Sequence, residues 1–178
     1  RRQRQMCIRD RYMKMTGRSK EQAESDYESN IDAMMTEMDQ FNLSDELSNS
    51  YRQLFKDVYA KAKYTVKDAE KMDDKDGYYV TVEIEQMTGL FNGIQEELMT
   101  EFTEWANSFD ADTYPTEDEM YEQMYQMMYD LMSARLDSIT YNDPQEVVVE
   151  VIGEDNVYSI SDGSMTELDE ALLDVATE

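Results

Sequence analysis

Tyr79-Val80-Thr81-Val82-Glu83-Ile84-Glu85 alternates without a break. Val80, Val82 and Ile84 fall on one side of an extended chain and Tyr79, Thr81, Glu83 and Glu85 on the other. That period of two marks a strand with one buried and one wet face. Just upstream, Asp73-Asp74-Lys75-Asp76-Gly77 is turn chemistry, because Asp and Gly tolerate left-handed backbone. Before the turn, Lys63 to Lys71 sets Tyr64 and Val66 against Thr65 and Lys67, with a less regular tail. Together the three pieces predict an antiparallel hairpin with one face toward solvent.

Upstream of the hairpin the period is helical. Ser19-Lys20-Glu21-Gln22 reads as a capping box opening a helix to about Gln40, with Ala23, Tyr27, Ile31, Met34, Met35 and Met38 on one stripe. Asn42-Leu43-Ser44 breaks it, and Ser44 caps a second helix carrying Leu47, Tyr51, Leu54, Phe55, Val58 and Ala62. The two predict a helical hairpin. Downstream, Leu90, Phe91, Ile94, Leu98, Phe102, Trp105 and Phe109 form an aromatic stripe. After the turn Asp110 to Pro115, Thr116-Glu117-Asp118-Glu119 is a second capping box. Its helix runs to about Ile139 with Met120, Met124, Met127, Met128, Leu131, Met132 and Leu136 inward and Tyr121 and Tyr125 beside them.

Asp143-Pro144 ends that helix. Val147, Val149 and Val151 then alternate in a third strand, Tyr158 and Ile160 in a fourth, and Gly153-Glu154-Asp155-Asn156 joins them. Ser164-Met165-Thr166-Glu167 predicts the cap of a short last helix with Leu168, Ala171 and Leu172 inward. The order ααββααββα predicts an α+β fold: one antiparallel sheet of about four strands with helices on its apolar face.

Charge is unevenly distributed. Arg1 to Lys20 holds eight Lys or Arg and one acid, so a chain of net −25 carries −32 on residues 21–178. The run Arg1 to Arg11 resembles translated sequencing adapter of the kind that contaminates gene models assembled from environmental reads. Residues 1–11 are therefore set aside as artefactual or disordered, and 12–178 are expected to be a single α+β domain truncated at its N-terminus. The rival reading of the run is a basic tether. Without it, Cys7 goes too, and the rest has neither Cys nor His, which removes thiol and imidazole chemistry and the usual transition-metal ligands. A surface at −32 repels nucleic acid and anionic lipid, so no nucleic-acid partner is expected. No apolar run approaches the roughly 18 residues of a membrane span.

Four patterns could carry chemistry. The loop Met72 to Glu83 aligns Asp74, Asp76, Gly77 and Glu83 with calcium-loop positions, but Met72 stands where the first oxygen ligand belongs and the following segment has strand period. The methionines of 120–132 offer thioethers to Cu(I), yet Met at helical spacing is the ordinary filler of a core. Carboxylate pairs able to do general acid and base work are so numerous that they discriminate nothing. Tyr78 and Tyr79, or Trp105 with its phenylalanine neighbours, could line a small-molecule cleft. No nucleophile elbow or phosphate-binding glycine loop is present. Catalytic residues, metal ligands and cofactors are accordingly expected to be none, and binding residues stay unassigned.

Tyr12-Met13-Lys14-Met15-Thr16-Gly17 before the first helix, Lys63-Tyr64-Thr65-Val66, Tyr78 to Glu85, and Tyr141-Asn142-Asp143-Pro144-Gln145 leading into Val147 to Val151 resemble uncharacterised lipoproteins of Gram-positive gut bacteria. These are similar to NTF2-like or cystatin-like cones. The resemblance covers Tyr12 to Glu178 and implies a signal peptide, a lipid-bearing cysteine and a further helix upstream of Tyr12. It implies an extracytoplasmic, membrane-anchored, non-enzymatic domain serving in binding or cell-envelope interaction, with an unknown protein or small-molecule partner and no membrane contact beyond the lipid. The alternative is a ligand-binding or enzymatic pocket of the NTF2 type. A third reading, a structural interaction module, would show as a contiguous exposed apolar patch.

Overall fold

A computed structural model describes residues 19–110, 112–154 and 157–175. The Arg1 to Arg11 run with Cys7, the Tyr12 to Gly17 motif, the side chains of Gln22 and Ala23, and Asp155 and Asn156 lie outside the described residues. The chain divides into two compact units, one containing Lys61–Gly89 and Ile139–Val175, the other Glu21–Ala60 and Leu90–Ser138.

The first unit grows from the alternating stretch. β1 (Lys63–Lys71) and β2 (Gly77–Glu85) form the expected hairpin, and β5 (Gln145–Glu154) and β6 (Val157–Ile160) form the other. The sheet is antiparallel throughout, in the order β1-β2-β5-β6. Val80, Val82 and Ile84 pair with Val149, Val147 and Gln145, so the valines of β2 and β5 share one face. Leu168, Ala171 and Leu172 of α5 (Asp162–Leu172) cover that face. The α+β class and the four-stranded antiparallel sheet thus stand as the alternation implied.

Two details depart from expectation. Ser161, not Ser164, is the N-cap of α5, its hydroxyl accepting from Ser164 N–H. Ser164 lies one turn in, buried, and accepts from Glu150 N–H at 2.9 Å, while Ser161 N–H donates to Glu150 C=O at 2.9 Å. These two serines continue the ladder of β5 where the short β6 stops. A second, two-stranded sheet, β3 (Met87–Thr88) with β4 (Thr140–Tyr141), was not anticipated. It is tied down by Asn142 N–H to Gln86 C=O at 3.0 Å and Asp174 N–H to Met87 C=O at 2.9 Å.

In the second unit, α1 (Lys20–Thr36) and α2 (Asp45–Tyr59) are joined through a 3-10 turn at Asp39–Phe41. Ile31 and Met35 of α1, and Leu47, Tyr51, Leu54 and Val58 of α2, are buried, while Tyr27 is exposed. Glu28 accepts from Lys56 at 2.6 Å and, with Asp32, faces Arg52, linking the two helices by ion pairs. Ser44 caps α2 as expected; the sequence did not reveal that Glu122 of a distant helix binds Ser44 N–H at 2.8 Å, placing a carboxylate at the positive end of α2. α3 (Ile94–Ala106) and α4 (Glu117–Arg135) follow. The Thr116/Glu119 capping box forms in full. Arg135, 16% exposed, ends α4 by donating to Leu90 C=O and Asn92 C=O at 3.3 and 2.9 Å and pairing with Glu97 at 2.7 Å, which fixes the entry to α3.

The methionine stripe of α4 is only partly inward. Met132 alone of that set is buried, and Met120, Met124, Met127 and Met128 are half-buried. The face turned to α2 is instead the tyrosine face: Tyr121 and Tyr125 lie 5.3 and 4.8 Å from Phe41, and Tyr125 and Tyr129 lie 6.1 and 5.8 Å from Tyr51. Tyr51 O–H donates to Tyr125 C=O at 2.7 Å. A tyrosine can bury its ring and satisfy its hydroxyl at the same site, so it competes well with Met for a packed interface.

Candidate interaction surface

Two of the three acids that could have met calcium, Asp76 and Glu83, are engaged elsewhere. Met72 is buried, and the chain enters β2 at Gly77 and stays extended. Asp76 turns to the β5–β6 end of the sheet: its carbonyl accepts from Gly153 N–H at 2.8 Å and its carboxylate from Tyr158 O–H at 3.2 Å. Glu83 lies on the open face, paired with Lys67 at 2.8 Å. Among the described residues no group of three or more His, Cys, Asp or Glu is placed to hold a metal ion.

The glycines explain the local sequence better than a ligand does. A Cβ on Gly77 would sit 2.6 Å from the backbone oxygen of Val151 and 3.0 Å from Met72 Sδ. One on Gly153 would sit 2.7 Å from Asp76 Oδ2 and from Tyr158 Cε1. Gly77 needs hydrogen where one backbone meets another, and at Gly153 a methyl group would have to displace the Asp76 and Tyr158 side chains.

The aromatic candidates do not converge. Tyr78 packs toward the covered face, 5.8 Å from Tyr158, whereas Tyr79 stands on the opposite face, 40% exposed. Phe102, Trp105 and Phe109 stack on one another at 5.4 and 5.0 Å and are half-buried, a continuation of the Leu90, Ile94, Leu98 stripe as it rises out of the core. A depression along α3 is lined by Glu96, Met99, Thr100, Thr103 and Glu104, all from that one helix, and so has no opposing wall.

What the first unit does present is an edge. β1 is an outer strand of its sheet, and every residue from Tyr64 to Lys71 is exposed. Tyr64 and Val66 pair with Ile84 and Val82 and therefore lie on the same face as the core valines, yet both stay exposed, 42% and 40%. Lys63, Thr65, Asp68 and Glu70 lie on the open face, where Lys63 pairs with Glu85 at 3.2 Å and stands 3.5 Å over the Tyr141 ring. Lys67 is the extra residue of a bulge between Val66 and Asp68. Of the nine Lys and Arg in residues 19–175, five fall between Lys61 and Lys75; Ile139–Val175 has ten acids and no base. The β1 side is thus where the acidic surface is least negative.

Few side chains are perturbed as an acid–base catalyst would be. The Asp76 carboxylate beside Tyr158 raises its phenol above the ordinary value. Burial raises Tyr51, reinforced by Tyr125 and Asp130, which keeps its O–H a donor. Partial desolvation raises Asp169. Hydrogen bonds from Thr116 lower Glu119. Each shift has a structural partner already described or a simple desolvation cause.

No protein-family profile and no curated protein matches the chain. Among solved structures, ycdA of Bacillus subtilis, provisionally described as a lipoprotein, superposes with a TM-score of 0.54 at 15% identity, over 92% of this chain and 50% of that one. The likeness shows a shared fold. The chain spans about half the length of that structure. Among the described residues no helix is long and apolar enough to cross a membrane.

Proposed function

We propose that this chain is part of an extracytoplasmic lipoprotein, held to the membrane by a lipid on an upstream cysteine, and that it works by binding a partner at the cell envelope rather than by catalysis. The observation that carries the reading is the fold shared with ycdA across 92% of the chain. An anchored domain of this kind needs no membrane-spanning helix, because two lipid chains suffice for stable attachment. The acid-rich surface disfavours nucleic acid and anionic membrane, leaving a protein or small molecule as partner. The order ααββααββα supports the finer NTF2-like or cystatin-like reading, the motifs at Lys63–Val66, Tyr78–Glu85 and Tyr141–Gln145 support a source among Gram-positive gut bacteria, and the charge of residues 1–11, +4 against −29 on residues 12–178, supports their origin in sequencing adapter.

The test is to express the gene, with its genomic upstream sequence, in a Gram-positive host fed a clickable fatty acid, and to treat intact cells with protease. Lipid label on the product and loss of the domain from intact cells are expected. An unlabelled product protected until the cells are lysed sinks the proposal.

A further inference from the structure

We propose that β1 is a self-recognition edge: two copies of the chain pair antiparallel through their β1 strands, about a two-fold axis between Val66 and Lys67, to form one continuous eight-stranded sheet. The proposal stands on the edge itself and does not depend on the lipoprotein reading.

Three observations converge. First, β1 is nine residues long, is exposed from Tyr64 to Lys71, and has no strand on its far side among the described residues. A strand so placed offers a row of backbone donors and acceptors to any extended chain. Second, a second copy brings the same acidity, and it meets least repulsion where five of the nine cations of residues 19–175 are gathered. Third, the register is self-complementary. With the axis between Val66 and Lys67, Lys63 faces Glu70 of the other copy, Tyr64 faces Ala69 and Thr65 faces Asp68, and symmetry repeats each contact.

The bulge makes this register work. In a regular strand, residues five or seven apart in number lie on opposite faces. The extra residue at Lys67 restores the match: Tyr64 and Ala69 both pair with covered-face residues, Ile84 and Val80, while Lys63 and Glu70 both pair with open-face residues, Glu85 and Tyr79. Three of the four opposed pairs therefore share a face, as antiparallel neighbours do; the fourth, Val66 against Lys67 at the axis, falls on the bulge itself, where the ladder is already irregular. An axis through Lys67 would set Lys67 against Lys67 and Lys63 against Lys71, like charges directly opposed. Lysines and bulges usually guard an edge; here their spacing excludes that register and leaves the Lys63–Glu70 one. Tyr64, 42% exposed, would then lie against Ala69 of the other copy on the covered face.

Edge pairing buries little area, so the dimer belongs to the weak class of interfaces. Sedimentation of the full chain, with reductant to keep Cys7 from cross-linking, is run at about 0.3 M NaCl to screen the charge on both copies. Mass is expected to double from 20.9 kDa as concentration rises. E70K opposes Lys to Lys63 twice and is expected to weaken the dimer about tenfold, and K63E/E70K/E85K, which exchanges the charges and keeps positions 63 and 85 of opposite sign within the chain, to restore it to within about threefold. Glu70 forms no ion pair in the folded chain among the described residues, so E70K is expected to melt like wild type, and a melt of each variant verifies its fold. A wild-type chain that stays monomeric to about 1 mM overturns the proposal. So does a dimer indifferent to E70K, or a charge exchange that fails to restore it.

Discussion

Replacing Gly77 by Ala adds one carbon where the sheet has no room for it. The new Cβ would lie 2.6 Å from Val151 O and 3.0 Å from Met72 Sδ. The sulfur belongs to a flexible side chain and can move; the carbonyl belongs to β5, which is held on both sides, by β2 and β6. Overpacking of this kind costs about 1–3 kcal/mol, and the lower entropy of an unfolded chain with Ala returns about 0.4–1. The net loss is about 1–2 kcal/mol, which for a chain of this length lowers the melting temperature by about 2–8 °C. Gly163 is the matched control: it lies in the first turn of α5 with nothing within 4 Å of its Cβ, so G163A should stabilise, raising the melt by about 1–3 °C. Far-ultraviolet circular dichroism on the two variants side by side reads both signs. A G77A chain that melts at or above wild type would show that β5 yields to a methyl group, and the account of this glycine as a close-packing residue would fail.

Ser164→Ala removes the acceptor of the Glu150 N–H and leaves it buried without a partner, a loss of about 1–3 kcal/mol in urea titration; no change in midpoint would mean water replaces the hydroxyl. The Glu119 carboxylate accepts from Thr116 N–H and Oγ1–H at 2.8 and 2.9 Å, which lowers its pKa in the folded state. The unfolded chain then binds more protons than the folded one, so this stabilisation is complete above the ordinary Glu value of about 4.3 and is lost as pH falls through the folded value. Melts of Glu119→Gln and wild type should therefore differ most at neutral pH and draw together as acid takes the pH down through the folded-state value; a constant gap would refute the cap as its source.

How far the fold could be read from the sequence depended on the range of the forces involved. Val80, Val82 and Ile84 declared their strand because the period of two is local, and Thr116 declared its cap because both partners lie within four residues. Ser164 misled for the same reason. Ser164-Met165-Thr166-Glu167 satisfies the local template, but Ser161 also can cap, and the choice was made by Glu150 N–H, fourteen residues upstream and silent in the pattern. β3 and β4 are two residues each, too short for any period. On α4 the methionines looked the more apolar stripe, while the contact with α2 went to Tyr121, Tyr125 and Tyr129, whose rings and Tyr51 hydroxyl fit together. The candidate chemistry failed where it needed convergence: Tyr78 and Tyr79 adjoin in sequence and part to opposite faces. The β1 edge was legible as a strand; which of its sides stayed open followed only from the strand order.

The serine junction between β6 and α5 joins two kinds of secondary structure through the same residue, Glu150, whose N–H and C=O each take one serine. Amide exchange at Glu150 therefore cannot proceed by fraying of the sheet edge alone; Ser164 must leave as well, and with it the first turn of α5. The last third of the first unit should thus open as one cooperative piece, with protection at Glu150 rising and falling together with that of Val149 and of the helix it anchors.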